Sequence, residues 1–213
     1  MKLHYHPLSS FSRKVADGIA LRGDPIELQV VDAMGGALRS PAYLALNPFG
    51  KMPVLELDGG GSIYESTSIL EYLEERGPRV LLPVGQERLA RHFDRLGDLY
   101  LLEPIGQYFW KKTDAVRAET TDTMGRAWGV WAHALADGRP FVLGDAITLA
   151  DLSAAVAVDY ARTEGIALPD RIAAYADRLF QHPVLSASRE AAAPFVEATR
   201  PLRQPRVNAG DAA

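Results

Sequence analysis

Serines cluster early in the chain, where a short strand is expected to pass into a helix. Residues 6–15 read HPLSSFSRKV and contain Ser9, Ser10 and Ser12. A hydroxyl at the start of a helix can donate a hydrogen bond to an anion, and the positive end of the helix dipole assists it. The pattern predicts an anion-stabilising turn, with simple capping of the helix as the alternative role of the same hydroxyls.

The chain contains no cysteine, which limits the chemistry available at this turn. A protein thiol cannot act as nucleophile, redox partner or metal ligand, so thiol chemistry would need a thiol supplied by a ligand. The five histidines are scattered, and the alternation of His4 and His6 is a weak metal signal. We therefore predict no metal site.

A second feature lies in the segment LNPFGKMPVLEL, residues 46–57. Pro53 heads an apolar strand although it has no N–H, which leaves Met52 at the strand edge with an unpaired N–H and C=O. An extended peptide could pair with that backbone as one more strand. The alternative is a proline that merely starts a strand. Lys51 is expected either near a ligand carboxylate or as a solvated turn residue.

Glu65 and Ser66 form a third feature, at the start of a helix that directly follows a strand. Backbone N–H groups at such a position favour an anion. The Ser66 hydroxyl can donate to a carboxylate, and Glu65 can accept from an ammonium group. The alternative is a capping serine beside a solvated charge.

An aromatic cluster within residues 100–110 includes Tyr108 and Phe109. Such a surface suits a flat apolar substrate, and Phe11 is expected to line the cleft that binds this substrate. Core packing on a long helix is the alternative for these side chains.

The elements that must position these residues differ between the first third of the chain and the rest. The first third reads as βαβ, then α, then ββα. The predicted strands cover 2–6, 26–31, 53–57 and 62–64, and the predicted helices cover 10–22, part of 35–46 and 65–76. Beyond this region strand signals nearly vanish and helical periodicity dominates.

The change in pattern predicts two domains joined by a proline-containing linker. We expect an α/β domain over 1–77, a linker over 78–86, an all-helical domain over 87–203 and a flexible tail over 204–213. Within the helical part, Thr148 and Asp151 are spaced as a capping box, and Ile147 and Leu152 as a hydrophobic staple.

The composition is that of a globular protein, with 47% hydrophobic and 23% charged residues. The net charge of −4 does not favour a nucleic-acid partner. No stretch approaches the roughly 20 apolar residues of a membrane helix, and the first ten residues are too polar for a signal peptide. A cytoplasmic protein is therefore expected.

In order and spacing, four segments resemble the cytosolic glutathione transferases over nearly the whole chain: FSRKV, LNPFGKMPVLEL, YESTSILEYLEE and ITLADL. The resemblance implies a thioredoxin-like domain with a mixed four-stranded sheet, followed by an all-α domain, usually as a homodimer. It implies glutathione as co-substrate, a hydrophobic electrophile bound between the domains, and a cis bond before Pro53. It also assigns glutathione binding to Lys51, Met52, Pro53, Glu65 and Ser66.

The resemblance does not select one activating hydroxyl. In the serine-type classes (theta, zeta and delta), the activating serine precedes a Ser or Cys by three residues and an Arg or aromatic by four. The match is Ser9, given Ser12 and Arg13. Ser10 occupies the position at which beta-like classes carry a cysteine. Tyr5 lies roughly where tyrosine-type classes keep their hydroxyl.

Two kinds of function are compatible with this resemblance. The first is an enzyme that conjugates glutathione to electrophiles, or uses the bound thiolate for isomerisation, peroxide reduction or disulfide exchange. The second is a non-catalytic binding or regulatory protein of the same fold, such as a stress regulator. We favour the enzyme because Ser9, Pro53, Glu65 and Ser66 are all present.

Overall fold

The structure is a computed structural model that describes residues 1–110 and 113–203. The predicted flexible tail, 204–213, lies outside the described residues, as do Lys111 and Lys112.

The N-terminal domain is built on one four-stranded sheet in the order β2-β1-β3-β4. Its strands are β1 (Lys2–Tyr5), β2 (Glu27–Val30), β3 (Val54–Glu56) and β4 (Ser62–Tyr64). β1 pairs in parallel with β2 and antiparallel with β3, which in turn pairs antiparallel with β4. The sheet is therefore mixed, as the family resemblance implies.

The helices of this domain follow the predicted order closely. They are α1 (Ser10–Arg22), α2 (Pro41–Leu46) and α3 (Ser66–Arg76), with a 3₁₀ turn at Ala37–Arg39 before α2. The predicted helix 65–76 begins one residue later because Glu65 has a φ of 77° and cannot join it. The predicted strand 53–57 is shortened to 54–56 in β3.

The described part of the C-terminal domain is made of helices joined by turns and loops. Its helices are α4 (Glu87–Gly97), α5 (Glu103–Trp110), α6 (Asp114–Ala134), α7 (Leu149–Thr163), α8 (Asp170–Gln181) and α9 (Pro183–Arg203), and a π-helical turn at Asp98–Leu102 joins α4 to α5. The α/β-plus-all-α architecture is thus confirmed. None of the helices described in 1–110 and 113–203 is both long and apolar enough to span a bilayer.

Helix α7 is the central element of the core, since every residue from Leu149 to Ala161 is buried. Its start carries the predicted capping box, in which the Thr148 N–H donates to Asp151 Oδ2 at 2.9 Å. Asp151 Oδ1 also accepts from the Tyr175 hydroxyl at 2.6 Å. These bonds satisfy a fully buried carboxylate and connect the start of α7 to α8.

Candidate active site

A cleft of about 440 Å³ opens between the N-terminal domain and α5. Ser9, Ser10, Phe11 and Met52 line it from the N-terminal domain. The opposite wall is mostly apolar and includes Leu102, Ile105, Phe109 and Trp110. The predicted serine turn, the residue before Pro53 and part of the aromatic cluster therefore meet in one cavity.

Ser9 is the N-cap of α1, with φ −83° and ψ 120°, and its Oγ accepts from the Ser12 N–H at 3.3 Å. The capping role uses Ser9 as an acceptor only. Its hydroxyl proton has no acceptor within the described part of the chain, and neither do the N–H groups of Ser10 and Phe11. Three donors at the positive end of α1 are thus available to an anion in the cleft.

Tyr160 of α7 supports this turn from the other domain. Its hydroxyl donates to the Leu8 carbonyl at 2.9 Å, and its ring meets Phe109 edge-on at 4.9 Å. The Arg13 guanidinium lies 5.2 Å from the Tyr160 ring centroid and donates to Asp159 at 2.7 Å. No sequence pattern indicates this role for Tyr160, because α7 reads only as an apolar helix.

The backbone of Met52 makes no hydrogen bond to any described residue. The preceding carbonyl, that of Lys51, accepts from Asn47 Nδ2 at 2.8 Å and from the Tyr43 hydroxyl at 3.0 Å. The Met52–Pro53 bond is cis, Pro53 is buried and the Lys51 side chain is exposed. The hydrogen bonds to Lys51 therefore hold this loop in place, while the N–H and C=O of Met52 remain unpaired at the cleft.

Glu65 and Ser66 stand at the start of α3. Glu65 is exposed and has a positive φ, which is unfavourable for a residue with a side chain and is commonest at functional sites. Ser66 is buried, yet its hydroxyl has no hydrogen-bond partner among the described residues. Both side chains are therefore available to a polar ligand at the N-terminus of α3.

A buried polar cluster connects α3 to α1 and to the helical domain. Lys14, which is fully buried, lies 2.5 Å from Asp94 Oδ1 and 2.8 Å from Asp98 Oδ1 and donates to Thr67 at 3.2 Å. The Ser153 hydroxyl donates to Asp98 at 2.9 Å. Burial raises the pKa of Asp94, and the Lys14 ammonium opposes that rise. This Lys14 cluster fixes the residue directly after Ser66.

A second buried carboxyl, that of Asp17, lies one turn of α1 beyond Arg13. Burial raises the pKa of Asp17 to about 6, although Arg13 and the Ser188 hydroxyl both act to lower it. Ionising Asp17 is therefore less favourable in the folded protein than in water.

Asp17→Asn is expected to raise the free energy of unfolding near neutral pH by about 2–3 kcal/mol. The folded pKa of about 6 exceeds the ordinary 3.8, so the folded state holds the proton more tightly. The contribution of Asp17 to stability should therefore fall as pH rises from about 3.8 to about 6, and the Asn variant should lack this contribution. Denaturant titrations across the interval measure it. The exposed control Asp145→Asn should follow the wild type; a parallel fall in Asp17→Asn would refute the assignment.

The predicted electrophile-binding aromatics separate in the structure. Phe11 and Phe109 line the cleft, whereas Tyr108 is not among its lining residues and has the Arg117 guanidinium 4.9 Å from its ring centroid. The cleft also contains Met34 and Ile105, which carry no distinguishing pattern in the sequence.

The two N-terminal histidines have unrelated surroundings. His4 Nε2 lies 2.8 Å from Glu56 Oε2, and His6 lines the cleft. Among the described residues, no group of three or more His, Asp or Glu side chains is placed to hold a metal ion.

Two family models match the chain, and together they cover more than half of it. Residues 3–80 match "Glutathione S-transferase, N-terminal domain", and residues 114–182 match "Glutathione S-transferase, C-terminal domain". The ranges coincide with the α/β domain and with much of the helical domain.

Individual relatives give the same assignment. The chain is 43% identical over 94 residues to maleylacetoacetate isomerase of Pseudomonas aeruginosa, an alignment that covers 43% of this chain and 44% of that protein. It is thus similar to less than half of that relative's length. Over 165 residues, it is 27% identical to glutathione S-transferase 2 of Saccharomyces cerevisiae, covering 70% and 71% of the two chains.

A solved structure, that of a maleyl pyruvate isomerase described as a bacterial zeta-class glutathione S-transferase, superposes with a TM-score of 0.78 at 24% identity. The superposition covers 90% of this chain and 98% of that one, which shows that the two share a fold. The matching domain models, the sheet order and the helical second domain lead to one conclusion: this chain belongs to the glutathione S-transferase family.

Proposed function

We propose that this protein is a glutathione-dependent enzyme that conjugates the glutathione thiolate to hydrophobic electrophiles. One observation carries the proposal: the unpaired backbone of Met52 lines the same cleft as the unused hydroxyl proton of Ser9. The first can hold a peptide in extended form, and the second can donate to an anion beside it.

In the proposed complex, the cysteinyl residue of glutathione pairs its N–H and C=O with the backbone of Met52. The carboxylate of the γ-glutamyl residue accepts a hydrogen bond from the Ser66 hydroxyl at the start of α3. The ammonium group of the same γ-glutamyl residue donates to Glu65. The exposed Lys51 is available to the glycyl carboxylate. The cysteinyl sulfur then reaches the N-terminus of α1.

Activation of the thiol requires only a modest electrostatic contribution. A free thiol has a pKa of about 8.5, and lowering it by two units takes about 2.7 kcal/mol. Hydrogen bonds to a charged group, each contributing roughly 1.5–3 kcal/mol, supply that order of energy. Ser9 is the proposed donor, with Ser10 the alternative. Tyr5 is less favoured, because burial raises the pKa of its phenol and a less acidic hydroxyl is a weaker donor.

The electrophile is proposed to bind in the cleft between Phe11 and the apolar wall that contains Phe109. Tyr108 is not among the residues that line the cleft, and no role in electrophile binding is proposed for it. Flat apolar surfaces of this kind bind aromatic or extended hydrophobic molecules.

Ser66→Ala is expected to weaken glutathione binding by about tenfold to a hundredfold, because a hydrogen bond to a carboxylate is lost. Turnover at saturating glutathione should change little, since the hydroxyl does not touch the sulfur. Calorimetric titration with glutathione measures the affinity. Ser68→Ala removes an exposed hydroxyl from the same helix and serves as the control. Equal affinities in the two variants would remove Ser66 from the proposed site.

Isomerisation through the same bound thiolate is the second candidate, supported by the 43% identity to a maleylacetoacetate isomerase over 94 residues. Disulfide reduction through a protein thiol does not fit a chain without cysteine. Assays of the purified protein with aryl halides, enones, peroxides and cis-alkene acids, each with glutathione, separate conjugation, reduction and isomerisation. Failure of a folded sample to bind glutathione would favour the non-catalytic binding protein.

The protein is further proposed to act as a cytoplasmic homodimer. Leu89, Leu99 and Tyr100, on α4 and the π-helical turn after it, are apolar and 43–45% exposed, which supports a surface that a second copy covers.

A further inference from the structure

His6 is a cleft residue to which the proposed glutathione complex gives no role. It is half-buried, follows β1 directly and lines the cleft together with Ser9 and Phe11. Its carbonyl accepts from the Ser9 N–H at 2.9 Å, so His6 belongs to the same rigid turn as the proposed thiolate donor.

The hydrogen bonding of the ring determines its tautomer. The Leu8 N–H donates to His6 Nδ1 at 3.0 Å, so Nδ1 is an acceptor and the proton of the neutral ring resides on Nε2. Phe195 of α9 packs edge-on against the ring at 5.0 Å and fixes its plane. Burial lowers the pKa of His6, and the more weakly acting Asp32 carboxylate raises it, so the ring is neutral near neutral pH. Nε2 has no hydrogen-bond partner among the described residues.

The charges around this donor restrict what it can bind. Among the described residues that line the cleft, Glu103 supplies a carboxylate and no lysine or arginine is present. A substrate oxygen held here would meet a neutral N–H rather than a cation. A carbonyl oxygen fits that donor, whereas a carboxylate would have no compensating charge and would be repelled by Glu103.

We propose that His6 Nε2 donates a hydrogen bond to the carbonyl oxygen of a neutral α,β-unsaturated carbonyl electrophile during thiolate addition. This inference rests on the proposed glutathione-dependent function. The sulfur lone pair forms the C–S bond at the β-carbon. The C=C electron pair becomes a double bond between the α-carbon and the carbonyl carbon, and the C=O π pair moves onto the oxygen to give an enolate. His6 stabilises the enolate without transferring its own proton. The α-carbon then takes a proton from water to give the adduct.

The same donor would serve isomerisation of a neutral cis-enone. There the C–C bond rotates in the enolate, the C–S bond breaks and the thiolate leaves, so no proton is added to carbon. The role of His6 is therefore tied to an oxyanion intermediate, and not to conjugation alone.

Comparison of two neutral electrophiles within each variant tests the proposal. Addition to benzylideneacetone passes through an enolate, whereas displacement on benzyl chloride does not. His6→Asn keeps an acceptor near the position of Nδ1 for Leu8 and removes the Nε2 donor. His6→Phe keeps the ring contact with Phe195 and removes both nitrogens. His6→Gln keeps a donor near the position of Nε2.

We expect His6→Asn and His6→Phe to lose kcat with benzylideneacetone on the order of 100-fold while kcat with benzyl chloride stays near the wild-type value. His6→Gln should keep most of both activities. The ratio of the two rates within one preparation is independent of how much of a variant is folded. The wild type should also prefer benzylideneacetone to its para-carboxylate derivative.

Equal loss with both electrophiles in the donor-less variants would overturn the role of His6 and leave the proposed function standing. A wild-type preference for the para-carboxylate derivative would overturn the neutral substrate class. A wild type that binds no glutathione and converts neither electrophile would overturn the proposed function, and this inference with it.

Discussion

Replacing Lys14 by methionine is expected to lower the free energy of unfolding by about 3–5 kcal/mol. The ammonium group is fully buried and contacts two carboxylates, of which Asp94 is 1% exposed. Removal of the cation leaves both acids without a counter-charge in the protein interior. Denaturant titration at neutral pH measures the loss, and glutathione titration should show weaker binding because Thr67 anchors the start of α3 to the same cluster.

A matched control exists on the surface between the same two domains. Arg91 of α4 pairs with Glu71 of α3, but the Arg91 side chain is 48% exposed. Arg91→Met should cost less than about 1 kcal/mol, as exposed ion pairs do. If Lys14→Met were no more damaging than Arg91→Met, the Lys14 cluster would not be the structural link between the domains.

Ser9→Ala is the second change with a large expected effect, on turnover rather than on binding. We expect the pKa of bound glutathione to rise by about one to two units and kcat to fall by about tenfold to a hundredfold near neutral pH. The affinity for glutathione should change little, because the backbone of Met52 and the Ser66 hydroxyl remain. Ultraviolet absorbance of the bound thiolate as a function of pH reports the shift directly.

Two controls separate activation from helix capping. Ser9→Thr keeps both the hydroxyl and the cap and should resemble the wild type. Thr113→Ala removes the equivalent cap of α6, where the Thr113 hydroxyl accepts from the Val116 N–H at 3.4 Å, and should cost stability of about 1 kcal/mol without shifting the thiol titration. An unshifted titration in Ser9→Ala, with a shift in Ser10→Ala, would transfer the role to Ser10.

The parts of this molecule that sequence patterns predict are those determined by local interactions. Helix α1 occupies the predicted residues 10–22 because the apolar spacing and the glycine at 23 define both its face and its end. The capping box at Thr148 and Asp151 is a contact over three residues, and it forms as predicted. Pro53 at the head of a strand also predicts the unpaired backbone that is found at Met52, with a simple strand start as the alternative role of the same proline.

The parts that sequence patterns miss depend on contacts between distant segments. Lys14 reads as an ordinary charged residue of α1, and only the packed domains bring Asp98, 84 residues away, within 2.8 Å of it. Tyr160 reaches the Leu8 carbonyl across 152 residues. Sequence patterns also do not show which of the neighbouring residues Tyr108 and Phe109 faces the cleft. Adjacent positions on a helix differ by about 100° in direction, and only Phe109 lines the cleft.

A crystal structure of the protein with bound glutathione tests the central claim most directly. We predict that the cysteinyl N–H and C=O of glutathione lie within hydrogen-bond distance of the Met52 backbone, and that the sulfur lies within hydrogen-bond distance of Ser9 Oγ at the start of α1. A glutathione molecule bound elsewhere, or a sulfur directed away from α1 with Met52 still unpaired, would contradict the account.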